Sequence, residues 1–290
     1  MKLRNIILTI ALAAGFFTAS AQKLSSFISK VPSGYNFWLY TPDSSPEEEV
    51  EAKPVIIFLH GASLCGNDLS RVRRYGTIDA IDRGFKPDAY VIAPQNPGGA
   101  WNPDRIMNVF DYVAENHNVD YDRIYVLGMS LGGYGTIDLC AAYPDVIAAA
   151  MAFCGGTTAS NLSALNEVPL WIVHGTGDRA VNVSQSDRVV EGMKRAAGGN
   201  APRLYYDRVP GMNHSQPSRL FYQKECYDWL FSHSLKDNGR NITNRFDISK
   251  TLSRNPYGSG KSRAKASRSK SKKAKTHASH KSKSRKSRRG

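Results

Sequence analysis

Gly128-Met129-Ser130-Leu131-Gly132 reads G-x-S-x-G and lies between a strand-like run and a helix-like run. Arg123-Ile124-Tyr125-Val126-Leu127 precedes it, and Leu131 to Ala142 reads as the helix that follows. A serine on so sharp a strand-to-helix turn needs small neighbours, because side chains two positions either side would collide; glycine also tolerates unusual dihedrals. The turn leaves the hydroxyl exposed at the strand's C-terminal end. The helix N-terminus beside it favours developing negative charge.

The rest of the chain repeats this strand–helix alternation. Pro54 to Leu59 is a continuous apolar run, as expected of a strand buried on both faces, and Ala89 to Ala93 is another. Tyr35 to Tyr40 alternates like a strand; Val146 to Phe153, Pro169 to Val173 and Arg203 to Val209 read as further strands. Helices are expected at about Pro103 to Asn116, with Ile106, Val109, Phe110 and Val113 on one face, at Ser184 to Ala197, and at Ser218 to His233. The pattern predicts an α/β fold: a mostly parallel, doubly wound sheet flanked by helices, in a single domain over residues 22–248.

Both ends differ from this body. Lys2 and Arg4 precede the 12-residue, largely apolar stretch Ile6 to Phe17, and Ala19-Ser20-Ala21 forms an A-x-A site. That is the pattern of a cleaved export signal over residues 1–21, too short in its apolar part to span a bilayer. A secreted or periplasmic address follows, and with it an environment that permits disulfides. The four cysteines, Cys65, Cys140, Cys154 and Cys226, allow three full pairings, and their spacing does not choose among them. No C-x-x-C or His/Cys cluster has zinc spacing, so no structural metal is expected.

The net charge of +14 belongs to the C-terminus. Residues 250–290 hold 16 Lys/Arg and no acid, whereas the other 23 Lys/Arg face all 25 Asp/Glu, leaving residues 1–249 at −2. Apolar residues almost vanish there, so residues 249–290 are expected to be a disordered Lys/Arg/Ser-rich tail. Such a polycation would bind anionic glycans or envelope phosphates by counterion release. With no interleaved aromatics, it has no means of stacking on nucleic-acid bases.

A serine hydroxyl is a weak nucleophile until a base within hydrogen-bond reach activates it, and that base needs an orienting acid. In hydrolases built on this turn, the chain order is Ser, Asp/Glu, His. Asp178, in His174-Gly175-Thr176-Gly177-Asp178, and His214, in Gly211-Met212-Asn213-His214, supply that order after the last two strands. All three positions fall at strand C-termini, the edge where ligand chemistry collects in open α/β sheets. The backbone N–H groups of Leu131 and Ala62 are the expected oxyanion donors, with Gly61 letting the chain bend. Asp207 competes with Asp178 for the acid, and His60 and His174 read as structural histidines. Trp101, in the glycine-rich loop 97–102, has two readings: an aromatic wall for substrate, or a packing residue that closes the loop.

On these residues the chain resembles the α/β-hydrolase superfamily, in its secreted bacterial esterase or predicted-peptidase form. The resemblance rests on Phe58-Leu59-His60-Gly61, Ala93-Pro94-Gln95, Gly128 to Gly133, Trp171 to Gly175 with Asp178, and Gly211 to His214, and covers about residues 35–235. Relatives of this kind are polyhydroxybutyrate-depolymerase-like, feruloyl and acetylxylan esterases, and prolyl-oligopeptidase-type hydrolase domains. The resemblance implies hydrolysis of carboxylic esters, including polysaccharide-linked acyl groups, without a cofactor. Lipase-type oxyanion loops carry several glycines after the histidine; Ala62-Ser63-Leu64 here is closer to the esterase form. Two other readings stay open: a serine peptidase of prolyl-oligopeptidase-like type, and a non-catalytic polyanion-binding protein acting through its tail.

Overall fold

A computed structural model describes residues 23–43 and 51–254. Eight strands form one sheet: β1 (Lys23–Phe27), β2 (Asn36–Thr41), β3 (Lys53–Leu59), β4 (Tyr90–Gln95), β5 (Val119–Met129), β6 (Ala149–Phe153), β7 (Leu170–Gly175) and β8 (Leu204–Val209). Their order is β1-β2-β4-β3-β5-β6-β7-β8. β1 and β2 are antiparallel additions, β2 pairing with β4, and every other neighbouring pair is parallel.

The apolar runs form the central strands because both faces of the sheet are covered. Val55, Ile57 and Leu59 point to one side with Val126, Ile172 and the apolar faces of α2 (Pro103–Asn116), α3 (Leu131–Ala142) and α4 (Ser184–Ala196). Ile56 and Phe58 point to the other with Leu127, Trp171 and residues of α1 (Thr77–Asp82), α5 (Lys224–Phe231) and α6 (Ile248–Ser253). This period-two division of one strand between two cores is what a doubly wound sheet requires. The chain runs from β3 to β4 on one side and then to β5 on the other, so β3 and β5 flank the point where the winding reverses. A crevice opens there at the strand C-termini.

The structure corrects three boundaries. The helix expected over 218–233 is a 3-10 segment, Gln216–Tyr222, followed by α5; between them Gln223 has extended dihedrals and caps α5. β1 is an added, half-exposed edge strand. The first residues of the tail expected from residue 249 are helical instead: α6 runs to Ser253, with Asp247 accepting the Lys250 N–H and Ile248, Thr251 and Leu252 buried. The remainder of the expected tail and the expected export signal lie outside the described residues. Among the described residues all four cysteines are free thiols, and no helix is long and apolar enough to cross a membrane.

Candidate active site

Ser130 stands at the junction of β5 and α3 with φ 59° and ψ −120°, a left-handed backbone that an L residue adopts only when its surroundings impose it. Two bonds impose it here: Ser130 N–H donates to the Phe153 carbonyl at 2.8 Å, and the Ser130 carbonyl accepts the Tyr134 N–H at 3.0 Å. The flanking glycines are obligatory for contact reasons. A Cβ on Gly132 would lie 1.9 Å from the Leu59 carbonyl oxygen, and one on Gly128 would lie 2.3 Å from the Gly132 oxygen. The N-terminus of α3 is thereby pressed against the end of β3.

Asp178 and His214 arrive from the turns after β7 and β8, and the structure brings all three residues together. His214 Nε2 lies 3.1 Å from Ser130 Oγ, and its Nδ1 lies 2.7 Å from Asp178 Oδ2. The other carboxylate oxygen, Oδ1, accepts the N–H groups of Ala180 and Val181, each at 2.9 Å. Burial pushes the Asp178 carboxyl up, but His214 and these two amides outweigh it and hold it below the usual carboxylate range. An ionised Asp178 only accepts, so Nδ1 carries the ring proton and Nε2 is free to take the serine proton. The Asp178 side chain is fully buried, while His214 keeps 28 % of its side chain exposed.

The side expected to hold the oxyanion lies at the end of β3. Gly61 approaches Ser130 closely enough that an added Cβ would lie 3.4 Å from the serine Cβ. Its N–H donates to the Tyr75 phenol at 2.9 Å. Its carbonyl accepts from His60 Nδ1 at 2.8 Å, and Nε2 of the same ring accepts the Asn96 N–H at 3.0 Å, which fixes the tautomer. The Gly61 carbonyl and the Ala62 N–H share one planar trans peptide and point in opposite directions, so His60 also sets the direction of the Ala62 N–H. Among the described residues neither Ala62 N–H nor Leu131 N–H is engaged in a hydrogen bond.

The rival assignments separate in space. Asp207 accepts the Trp171 indole N–H at 2.7 Å. His174 bonds Ser186 and the Val181 carbonyl, and its Nε2 comes within 3.3 Å of Asp178 Oδ2, so it props the acid. Trp101 takes a packing position and is only 4 % exposed. Its indole N–H donates to the His60 carbonyl at 3.2 Å, and its ring packs edge-on against Tyr35 and His60. The part left accessible borders a cavity of about 340 Å³ shared with Asp138 and Asn161. Tyr75 and Asn96 hold the loop at the end of β3, and no motif announces them.

The sequence model of the dienelactone hydrolase family matches residues 100–218, a span that takes in Ser130, Asp178 and His214. The solved structure of a thermostable esterase superposes with a TM-score of 0.59 at 23 % identity, covering 73 % of this chain and 63 % of that one. This chain has the α/β-hydrolase fold. Acylaminoacyl peptidase from Pyrococcus horikoshii shares that fold, with a TM-score of 0.54 at 16 % identity over 80 % of this chain and 44 % of its own. Among curated proteins, the chain is 28 % identical to feruloyl esterase B of Thermothelomyces thermophilus, covering 53 % of this chain and 55 % of that protein. It is 22 % identical to acetylxylan esterase A of Aspergillus awamori, over 73 % of this chain and 71 % of that one. The chain thus spans about half the length of the feruloyl esterase it matches.

Proposed function

We propose that this α/β-hydrolase is an exported serine esterase that cleaves carboxylic esters, with polysaccharide-linked acyl groups as the substrate class. The observation that carries the reading is the unbroken chain from Ser130 Oγ through His214 to Asp178, at 3.1 and 2.7 Å. Ser130 Oγ attacks the ester carbonyl while His214 Nε2 takes its proton. Asp178 stays ionised, holds the ring and stabilises the imidazolium. The Leu131 and Ala62 N–H groups receive the negative charge that forms on the carbonyl oxygen. His214 returns the proton to the leaving alcohol, an acyl group remains on Ser130, and water activated by the same histidine releases it. The substrate class is supported by the relatives, whose names attach them to feruloyl and acetylxylan esters.

The test is a matched panel on the full chain: p-nitrophenyl acetate and butyrate, a feruloyl ester, acetylated xylan and a prolyl-peptide amide, each with Ser130→Ala as control. Ester turnover lost in Ser130→Ala is expected. Amide turnover exceeding that of the matched ester would replace the esterase reading with a peptidase one. Silence on every substrate, together with no fluorophosphonate labelling of Ser130, would end the catalytic reading.

A further inference from the structure

Cys154 is a fully buried member of the core that also comes up against the candidate site. It ends β6 with φ 40°, in the left-handed region, and the backbone around it is pinned. Its own N–H donates to the Val173 carbonyl at 2.8 Å, and the Phe153 carbonyl just before it accepts the Ser130 N–H at 2.8 Å. The side chain is fully buried, and Sγ lies 3.8 Å from the His214 carbonyl oxygen. Sγ, a carboxylate oxygen of Asp178 and a ring nitrogen of His214 all fall within 4.8 Å of one another. One sulfur, one imidazole nitrogen and one carboxylate oxygen make a donor set suited to zinc rather than to hard cations. The three donors come from the ends of three neighbouring strands, which is why no spacing in the sequence reveals them.

We propose that Cys154, Asp178 and His214 form a Zn²⁺ site whose occupation switches the hydrolase off. Zinc bonds of about 2.0–2.3 Å in tetrahedral geometry place ligand atoms about 3.3–3.6 Å apart. The Asp178–His214 pair, now at 2.7 Å, opens by roughly 0.6–0.9 Å, and the sulfur closes in from within 4.8 Å. No electrons are transferred. The thiol proton leaves to solvent and the His214 ring proton moves from Nδ1 to Nε2, so that a sulfur lone pair and the Nδ1 lone pair bind the metal while the ring stays neutral. A thiolate and a carboxylate balance the two charges of the ion, and water takes the fourth position. A ring bound through Nδ1 to a dication loses the basicity needed to take the Ser130 proton. The inhibitory half of the proposal rests on the serine-esterase reading; the binding half does not.

The experiment is therefore run on the full chain with two readouts. Equilibrium dialysis with ZnCl₂ measures binding, and p-nitrophenyl acetate turnover measures inhibition, with MgCl₂ as the hard-cation control. The expected result is one zinc per chain, turnover reduced at least tenfold at saturation and restored by a chelator, and no response to magnesium. Cys154→Ala and Cys154→Ser are expected to keep ester turnover and to weaken both binding and inhibition at least tenfold. Co²⁺ in the unmutated chain is expected to give a thiolate-to-metal charge-transfer band. That readout holds even if a variant fails to fold or the chain turns over no ester. No zinc bound, zinc inhibition unchanged in both variants, or no thiolate band with cobalt would each overturn the site.

Discussion

The phenol of Tyr75 accepts the N–H of Gly61 at 2.9 Å, which fixes one side of the residue whose other side carries the Ala62 amide, the oxyanion donor proposed above. Tyr75→Phe removes that partner and leaves a part-buried N–H unpaired, at a cost of about 1–3 kcal/mol in stability. The Ala62 peptide loses half of its anchoring, and the tetrahedral intermediate depends on that peptide more than the bound ester does. The expected outcome is a kcat on p-nitrophenyl acetate lowered about tenfold with KM changed less than twofold, a loss smaller than the roughly 10²–10³ that follows removal of a whole oxyanion donor. A larger effect on KM than on kcat would show that Tyr75 shapes the acyl pocket instead.

The two candidate acids predict opposite results. Asp178→Asn keeps the shape of the triad, but its amide nitrogen donates where the carboxylate accepted, favouring the wrong ring tautomer; kcat is expected to fall about 10⁴-fold. Asp207 serves the Trp171 indole and does not touch His214. Asp207→Asn keeps an acceptor for that indole, so kcat is expected to stay within about twofold and thermal stability to move by less than about 1 kcal/mol. Comparing the two variants on one ester checks the assignment directly.

The order Ser130, Asp178, His214 was legible because each residue ends a strand or follows one closely, and parallel strands bring their C-termini to one edge. The central strands were legible for a related reason: burial on both faces leaves uninterrupted runs such as Val55 to Leu59. Partnerships across loops left no comparable trace. Tyr75 reaches Gly61 from the far end of a 3-10 segment at Leu69–Arg74, and Cys154 meets His214 across two further strands. β1, with the sequence Lys-Leu-Ser-Ser-Phe, has too little apolar content to stand out from a loop and is held mainly by pairing with β2. α6 buries only Ile248, Thr251 and Leu252, a short apolar signal submerged in the basic composition that follows. Trp101 fitted both readings in the sequence; in the structure its ring packs tightly against Gly135 and the residue also borders the cavity shared with Asp138 and Asn161.

Two of the three glycines on α3 separate backbone contacts from side-chain ones. A Cβ at position 132 would sit 1.9 Å from a backbone oxygen of the central strand β3. Nothing there gives way without moving the oxyanion loop, so Gly132→Ala is expected to abolish folding or to cost more than about 4 kcal/mol. At Gly135 the obstacle is the near end of the Trp101 side chain at 2.7 Å, so Gly135→Ala is expected to displace that ring from His60 and Tyr35 and to cost about 1–3 kcal/mol. Urea unfolding of both variants beside the parent measures the contrast.

His60 gives the fold an acid-sensitive point next to the oxyanion loop. Burial lowers its pKa from 6.5 to about 4, against a smaller opposing effect of the hydrogen bond to the Gly61 carbonyl. Protonation would also require Nε2 to give up the Asn96 N–H it accepts. In the unfolded chain the ring takes its proton near pH 6.5, whereas the folded protein refuses it until about pH 4. The unfolded state therefore binds more protons in this window. Stability is full above pH 6.5 and falls as the pH drops, by up to about 3 kcal/mol from this residue. His233, also lowered by burial, adds to the same slope. Replacing His60 with Gln removes the titrating group and keeps a donor for the Gly61 carbonyl, at the cost of some stability at every pH. The loss of urea-unfolding stability between pH 7.5 and pH 4.5 is expected to be smaller in this variant by about 2–3 kcal/mol. Equal losses in parent and variant would assign the acid sensitivity to other groups.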